Sequence, residues 1–196
     1  MIPPRLVLAT ANRGKVEELR ALVAEWGPAE VLSLPDFPGL TGPEETGGSY
    51  LENALAKARA VASATALPAL ADDSGLEVEA LGGAPGVRSA RYAPTDAARV
   101  ARLLAELAGM PRAARRACFR CVVALAWPGG DALTAEGACR GRIATAPSGG
   151  GGFGYDPVFV ADELGCSFAA ATPADKQRVS HRAHAVRTLG ARLAAS

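Results

Sequence analysis

The sequence lacks the features that would place it outside ordinary globular proteins. Its 196 residues contain no apolar run near the ~18 residues that a membrane-spanning helix needs, and its first five residues lack the layout of a signal peptide. We therefore expect a cytoplasmic protein with no membrane partner. The net charge is only +1, which argues against a protein whose main role is to coat nucleic acid. With 49% hydrophobic and 21% charged residues, the chain is predicted to form one globular domain over residues 1–196.

Cysteine is too sparse to predict a disulfide framework. Cys118 and Cys121 have the spacing of half a zinc site, but they lie in a strand-like run, 118–127. Residues three apart on a strand point to opposite faces, so the two sulfur atoms would diverge, and no second pair accompanies them. We expect all four thiols, which include Cys139 and Cys166, to lie in the core.

Lysine and asparagine are also scarce. The chain has 18 arginines but only three lysines, Lys15, Lys57 and Lys176, and only two asparagines, Asn12 and Asn53. Arginine offers a planar fork of donors, whereas lysine offers a compact point charge. The few lysines therefore mark positions where a compact charge is wanted, and we treat them as candidate site residues.

A short apolar run, 67–71, leads directly into Asp72, Asp73, Ser74 and Gly75. We predict that a buried strand ends at the two carboxylates and that the glycine supplies a turn. The same four residues suit a metal-and-phosphate site, because a hard cation prefers carboxylate oxygens and a hydroxyl can bond a phosphate. An Asx turn between two strands is the alternative.

A polar turn follows the first predicted strand, 5–11. Residues 10–15 lead from this apolar run into a helix that stops at Gly27. A polar turn between a buried strand and a helix N-terminus is a natural anion cradle. It is not a Walker P-loop, because Val16 stands where a serine or threonine should bind Mg²⁺. A solvated Lys15 is the alternative.

Two polar residues share a face of the next predicted helix. Ser49 begins a capping box, and the helix is predicted to end near Thr65. Asn53 and Lys57 lie four residues apart, on a face away from the apolar stripe. Glu45 lies in the loop before this helix. A solvated polar face is the alternative to a site.

The second half of the chain predicts a hairpin, a glycine-rich loop and a final helix. The strands of the hairpin are 118–127 and 132–138. The loop, 148–157, has G-x-G-x-x-G spacing, but a strand-like segment follows it, which excludes a dinucleotide fold. We predict that this loop grips a ligand, with a plain linker as the alternative.

Ser180 is expected to cap the final helix. His181 and His184 are spaced like a metal pair, but no carboxylate pattern supports one.

Taken together, these motifs resemble the inosine/xanthosine triphosphate pyrophosphatases, house-cleaning enzymes also called RdgB-like. The segments that carry the resemblance cover nearly the whole chain: residues 8–15, 44–47, 71–76, 82–86, 89–92, 152–157 and 180–182. The resemblance implies an ITPase-like α/β fold, with an elongated mixed central β-sheet flanked by helices and two lobes with a nucleotide cleft between them. It also implies a homodimer.

The resemblance assigns roles to individual residues. Glu45 and Asp73 would bind Mg²⁺, and Asp73 would also accept a proton. The triphosphate would be bound by Thr10, Ala11, Asn12, Arg13, Gly14 and Lys15, with Lys57 beside them, and Ser74 would also touch the substrate. The nucleoside would be held by Phe153, Gly154, Tyr155 and Asp156, with Phe153 stacked on the purine. The base would be met by Lys176, His181 and Arg182.

The implied activity is Mg²⁺-dependent hydrolysis of ITP, dITP and XTP to the nucleoside monophosphate and pyrophosphate, by attack of water on the α-phosphorus. Donors on Arg182 and Lys176 would face O6 of the purine. Adenine carries a 6-amino donor there and would leave a buried donor unpaired, a penalty of about 1–3 kcal/mol for each such group.

Three other interpretations remain open. A Maf-like pyrophosphatase would act on other nucleotides, although the segments 153–156 and 180–182 are of the purine type. A non-catalytic regulator would bind the same nucleotides without needing the two metal-binding carboxylates. A nucleic-acid-binding module would depend on the arginines of residues 112–120, although Phe119 is the only aromatic residue among them.

Overall fold

The computed structural model describes residues 2–43 and 45–195. Within them the chain forms six strands, five α-helices and several short 3-10 helices. The strands are β1 (Arg5–Leu8), β2 (Glu30–Ser33), β3 (Ala69–Val78), β4 (Arg116–Ala126), β5 (Ala132–Ile143) and β6 (Phe159–Ala161). The α-helices are α1 (Arg13–Val23), α2 (Tyr50–Thr65), α3 (Asp96–Glu106), α4 (Pro173–Val179) and α5 (His181–Ala195). None of the described helices is both long and apolar enough to span a bilayer.

The strands form one mixed sheet in the order β2-β1-β3-β4-β5-β6. Strand β1 pairs in parallel with β2 and with β3, and Leu8 lies opposite Leu70 in the second pairing. Strands β5 and β6 are antiparallel. The mixed sheet and its helices confirm the α/β class that the sequence predicts.

The predicted hairpin and glycine-rich loop are both present. Strands β4 and β5 are neighbours, and their connection is closed by a hydrogen bond of 2.9 Å from Trp127 N to Asp131 O. Strand β6 follows the glycine-rich loop, as the sequence predicts, so the loop does not open a dinucleotide-binding helix.

The chain divides into two compact units. The first unit contains the described residues up to Asp73, Cys121–Gly137 and the described residues from His181 onward. The second unit contains Ser74–Arg120 and Ala138–Ser180. The single domain over residues 1–196 stays a prediction.

The core of the first unit follows the alternation of side chains along its strands. Leu6, Leu8 and Leu70 pack with the inner faces of α1 and α5. Val7 and Ala69 point to the other face and pack with α2. Successive residues of a strand face opposite sides, so helices cover both faces of β1 and β3. This confirms that the first strand is buried on both sides.

Strand β3 runs without interruption from Ala69 to Val78. The prediction that a strand ends at Asp72 and Asp73, with a turn at Gly75, is therefore wrong. The physical reason is that both carboxylates have buried polar partners, described below. A carboxylate that is paired in this way can remain inside a buried strand.

Three phenylalanine rings form the centre of the second unit. The ring centroids of Phe119 and Phe159 are 4.6 Å apart, and those of Phe159 and Phe168 are 5.1 Å apart. Gly141 lies close to this cluster, because a Cβ there would be 2.8 Å from the Phe159 ring and would collide with Val160 O. The close packing of β5 against β6 thus requires glycine at this position.

All four cysteines are free thiols. Cys121 and Cys139 are buried, and burial raises the pKa of each thiol to about 12. This confirms that these two are core thiols. Cys118 and Cys166 are only half-buried, so for them the prediction is wrong. The alternation along β4 places Cys118 and Cys121 on opposite faces, as expected.

One buried arginine ties three segments of the second unit together. Arg115 donates to Leu107 O at 2.7 Å, Ile143 O at 2.9 Å and Ala144 O at 2.8 Å. We expect Arg115→Ala to lower the free energy of unfolding by about 2–4 kcal/mol, because three carbonyls lose a charged donor. Urea unfolding measures this effect. The matched control is the exposed neighbour Arg116→Ala, and equal losses for both variants would contradict the prediction.

Candidate functional site

Two adjacent carboxylates on β3 organise the polar residues of the first unit. Asp72 and Asp73 are both buried, at 2% and 4% relative exposure. As neighbours on a strand they point to opposite faces of the sheet. Asp72 faces the side covered by α1 and α5, and Asp73 faces α2.

Asp72 joins two basic residues that are far apart in sequence. Its Oδ2 atom lies 3.0 Å from Lys15 Nζ and accepts hydrogen bonds from Arg182 Nη2 at 2.9 Å and Nε at 3.2 Å. Arg182 Nη1 also donates to Glu18 at 2.5 Å. Although burial opposes ionisation, the charges of Lys15 and Arg182 hold the pKa of the Asp72 carboxyl well below its usual range.

Residues 10–15 form the predicted polar turn at the N-terminus of α1. Asn12 is the N-cap, and its side chain accepts from Lys15 N at 3.1 Å. Thr10 Oγ1 accepts from Asn12 N at 3.2 Å. Asn12 and Arg13 are exposed, so the positive end of the helix dipole is open to an anion. The Lys15 side chain is 17% exposed and pairs with Asp72, so the alternative of a solvated lysine is wrong.

Lys57 brings Glu45 and Asp73 to one point on the other face of β3. Its Nζ atom lies 2.7 Å from Glu45 Oε1, 3.4 Å from Asp73 Oδ1 and 2.5 Å from the backbone oxygen of Asp72. Burial alone would lower the pKa of Lys57, but the charges of Asp72, Asp73 and Glu45 raise it overall. Lys57 is buried, so the alternative of a solvated polar face is wrong.

Asn53 contacts Asp73 from the same helix. Its Nδ2 atom donates to Asp73 Oδ2 at 2.9 Å, and its Oδ1 atom accepts from Gly47 N at 2.8 Å. Burial raises the pKa of Asp73, and the charge of Glu45 adds to that effect, while Lys57 and Asn53 act against it. The net direction is upward, so this buried carboxylate is more basic than a free one.

The donor set on this face fits a hard divalent cation. Glu45 and Asp73 each place a carboxylate oxygen near the same ammonium group, so the space around them favours positive charge. The described part of the chain holds no cluster of three or more His, Cys, Asp or Glu arranged for a metal. Mg²⁺ is often bound by one or two carboxylates together with waters and substrate phosphates, so the two carboxylates of Glu45 and Asp73 suit it.

In the second unit, Asp156 fixes the end of the glycine-rich loop. Its Oδ2 atom accepts from Phe153 N at 2.8 Å and from Lys176 Nζ at 2.5 Å. Both Asp156 and Lys176 are buried. A Cβ at Gly152 would collide with the Asp156 carboxylate, so the loop needs glycine there.

The Phe153 ring has a cation on one side. Lys176 Nζ lies 4.9 Å from the centroid of Phe153 and 5.4 Å from that of Phe168. Gly154 N donates to Asp96 Oδ2 at 2.7 Å, at the start of α3. These bonds within the second unit argue against the interpretation of the loop as a plain linker.

A cavity of about 550 Å³ lies in the second unit between α3 and this loop. Its walls include Val100 and Leu104 of α3, together with residues 150–154 and Pro157. The lining is largely apolar, and the volume is in the range that small-molecule ligands occupy.

Helix α5 begins with His181 and Arg182, and both residues are buried. A Cβ at Gly137 would collide with His181 O, which shows how closely β5 approaches this helix. The contact of Arg182 with a base stays a prediction, because the structure gives its guanidinium two other partners, Asp72 and Glu18.

The structure thus brings the predicted residues together in two groups. The first unit joins Lys15 and Arg182 through Asp72, and it joins Glu45 and Asp73 through Lys57. The second unit groups Phe153, Asp156 and Lys176. Ser74 lies half-buried on β3, and Glu44 lies outside the described residues.

Sequence reasoning gave no role to several residues that the structure places in these groups. They are Glu18, Asp96 and Phe168. Asp72 and Asn53 were candidates for the site, but neither had an individual role. For Asn53 the signal was present, because it precedes Lys57 by one helical turn.

Known proteins match this chain over almost its whole length. A model described as the Ham1 family matches residues 6–192. A protein named dITP/XTP pyrophosphatase from Geobacillus kaustophilus is 50% identical over 187 residues, which cover 94% of this chain and 91% of the relative. One of the same name from Gloeobacter violaceus is 51% identical over 184 residues, covering 94% and 91%. A structure of a HAM1 protein from Coxiella burnetii superposes with a TM-score of 0.86 at 38% identity, covering 98% and 99% of the two chains.

Proposed function

The chain belongs to the Ham1 family, and from that premise we propose that it hydrolyses ITP, dITP and XTP to the nucleoside monophosphate and pyrophosphate. It is a nucleoside triphosphate pyrophosphatase, a hydrolase that acts on a phosphoric anhydride bond. The reaction removes non-standard purine nucleotides from the nucleotide pool. The observation that carries the proposal is that β3 holds Asp73 with Glu45 and Lys57 on one face and Asp72 with Lys15 on the other.

The triphosphate is assigned to the start of α1. Residues 10–15 offer backbone N–H groups at the positive end of the helix, and Lys15 adds a compact positive charge. Lys57 adds a second positive charge, held between carboxylates. Because Asp72 fixes the ammonium of Lys15, that charge is positioned before the substrate arrives.

Glu45 and Asp73 are the residues that would hold Mg²⁺. When bound, the cation neutralises charge on phosphate oxygens and makes a nearby water more acidic. Asp73 accepts the proton of the water that attacks the α-phosphorus. In the metal-free protein, burial raises the pKa of Asp73, which favours proton transfer to its carboxylate.

The nucleoside is assigned to the second unit, where Ser74 contacts the substrate. Phe153 stacks on the purine, and Lys176 Nζ lies 4.9 Å from the centroid of its ring. Asp156 holds Phe153 and Lys176 in place through one carboxylate oxygen.

Selectivity for 6-oxo purines is assigned to donors on Lys176, His181 and Arg182. Arg182 already donates to Asp72 and Glu18, and Lys176 already donates to Asp156, so each has fewer N–H groups left for O6 than an unpaired side chain would have. A 6-amino group would leave such a donor unpaired, which costs about 1–3 kcal/mol.

We further propose a cytoplasmic homodimer that works on free nucleotides, with neither nucleic acid nor membrane as a partner. The near-neutral net charge of +1 supports the proposal that nucleic acid is not a partner, because polyanion-coating proteins are strongly basic. We also propose that residues 1–196 act as one catalytic domain.

The test is hydrolysis of ITP, XTP, GTP and ATP by the purified protein with Mg²⁺, scoring both phosphorus products. We expect pyrophosphate from ITP and XTP, little product from ATP, and loss of activity with EDTA that added Mg²⁺ restores. Orthophosphate with nucleoside diphosphate would mean attack at the terminal phosphorus and would contradict the proposal. Binding of ITP without turnover would identify a regulator instead.

A further inference from the structure

Asn53 joins the two segments that carry the proposed metal-binding carboxylates. It lies in α2 at 2% exposure, one turn before Lys57. Its amide donates to Asp73 on β3 and accepts from Gly47, two residues after Glu45. We propose that Asn53 is a positioning residue, which sets the Asp73 carboxylate and the loop that carries Glu45 in a fixed relation. This inference rests on the proposed function of Glu45 and Asp73.

The chemistry of its partners fixes the orientation of the Asn53 amide. A backbone N–H can only donate, so the atom facing Gly47 must be Oδ1. A carboxylate can only accept, so the atom facing Asp73 must be Nδ2. Both bonds are satisfied in one orientation, and a flipped amide would lose both. Asparagine therefore suits this position, whereas an apolar residue or an aspartate does not.

Gly47 shows that the loop is held at close range. A Cβ at Gly47 would lie 2.6 Å from Asn53 Oδ1 and 3.0 Å from the Cβ of Glu52. A side chain at this position would push the loop away from α2. The short contact between Gly47 and Asn53 thus depends on both residues, and the bond can be broken from either end.

Lys57 and Asn53 contact Asp73 in different ways. Lys57 lies 3.4 Å from Oδ1, and Asn53 donates to Oδ2 at 2.9 Å. An ammonium on a flexible stem supplies charge with little directional preference, whereas a buried amide fixes the plane of the carboxylate. Lys57 therefore supplies charge, and Asn53 supplies orientation.

The expected effect follows from how metal ligands depend on their own partners. Side chains that orient a ligating carboxylate, without touching the metal, typically account for about 10–100-fold in metal affinity or activity. We expect a loss of that size in kcat for Asn53→Ala. The KM for ITP is expected to stay near the wild-type value, because Asn53 bonds to Asp73 and Gly47 and not to the turn at residues 10–15.

The experiment compares Asn53→Ala and Gly47→Ala with the control Val61→Ala. Val61 is a buried residue of α2 that packs in the apolar core, so its truncation weakens the same helix without touching the site. Three readouts are taken: kcat and KM for ITP with Mg²⁺, Mn²⁺ affinity of the nucleotide-free protein by EPR titration, and hydrogen exchange of the Gly47 amide. The last two readouts do not depend on turnover.

The proposal expects Asn53→Ala and Gly47→Ala each to weaken Mn²⁺ binding and kcat by about 10–100-fold, while Val61→Ala changes neither per folded molecule. It expects the Gly47 amide of Asn53→Ala to exchange faster than in wild type. The double variant is expected to be no worse than Asn53→Ala alone, because both changes break the same bond.

Wild-type Mn²⁺ affinity and kcat in Asn53→Ala would overturn the inference, as would losses in the two single variants that simply add. If Asn53→Ala does not fold, Gly47→Ala decides the outcome from the other end of the bond. If the wild-type protein released no pyrophosphate, the proposed function would fail, while Mn²⁺ affinity and Gly47 exchange would still decide the role of Asn53.

Discussion

Asp73→Asn is expected to lower kcat for ITP by about 10²–10⁴-fold, because an amide cannot take the proton of the attacking water. The change is nearly isosteric. Asn53 Nδ2, which donates to Asp73 Oδ2, can donate equally well to the amide oxygen that replaces it. The loss should therefore appear in turnover, with the fold intact. Pyrophosphate release at saturating ITP measures it.

The same variant is expected to be at least as stable as wild type. Burial, with the added charge of Glu45, raises the pKa of Asp73, so folding favours the protonated form of this carboxyl over the ionised one. At neutral pH the ionised carboxylate therefore opposes folding, and a neutral amide removes that opposition. Loss of activity with retained or increased stability is typical of an active-site residue.

Asp72→Asn provides a matched control one residue away. Burial raises the pKa of Asp72, but the charges of Lys15 and Arg182 lower it by more than burial raises it. The net pKa is therefore lowered, and folding favours the ionised form. Neutralising Asp72 leaves those cations without their counter-charge, and we expect the free energy of unfolding to fall by about 3–5 kcal/mol. Urea unfolding of both variants measures the contrast.

Two outcomes would contradict these predictions. Wild-type turnover in Asp73→Asn would remove Asp73 from the proton-accepting role. A larger stability loss in Asp73→Asn than in Asp72→Asn would contradict the electrostatic argument.

The local elements could be predicted because their signals lie within a few residues. Ser49 caps α2, which begins at Tyr50 and ends at Thr65, as the capping box and the apolar stripe indicated. The polar turn before α1 could be placed because an apolar strand precedes it and Asn12 is a good cap.

The continuity of β3 could not be predicted from local signals. Two adjacent aspartates followed by serine and glycine are typical of a turn, and a buried strand normally excludes them. What keeps Asp72 in the strand is Arg182, 110 residues further along the chain. A contact of that separation leaves no mark in the local sequence.

The burial of Asn53 and Lys57 was missed for a similar reason. The apolar stripe of α2 correctly indicates the face that packs in the core, with Val61 among its residues. A second, polar face is buried only because β3 presents Asp73 and the preceding loop presents Glu45. Helical periodicity reports one buried face and carries no information about polar partners on another.

Arg182→Ala is expected to lower the free energy of unfolding by about 3–5 kcal/mol, because it breaks a buried ion pair and leaves one member behind. Arg182 is 2% exposed, and although burial opposes its charge, Asp72 and Glu18 raise its pKa. Lys15 remains as a partner for Asp72, which keeps the loss below that of an isolated buried charge. The matched control is Arg187→Ala in the same helix. Arg187 makes an exposed pair with Glu25 at 2.8 and 2.9 Å and should contribute about 0–1 kcal/mol.

The same pair of variants separates two roles for Arg182. If Arg182 holds Asp72 and the start of α5, Arg182→Ala will unfold at lower urea than Arg187→Ala, and the folded fraction will keep its preference for ITP over ATP. If Arg182 acts only on the base, the two variants will be equally stable and Arg182→Ala will lose that preference. The two buried bonds to Asp72 and the bond to Glu18 favour the first outcome, because a guanidinium already committed to carboxylates has few donors left for a purine. Urea unfolding and the ratio of ITP to ATP turnover, measured on the same protein samples, decide between them.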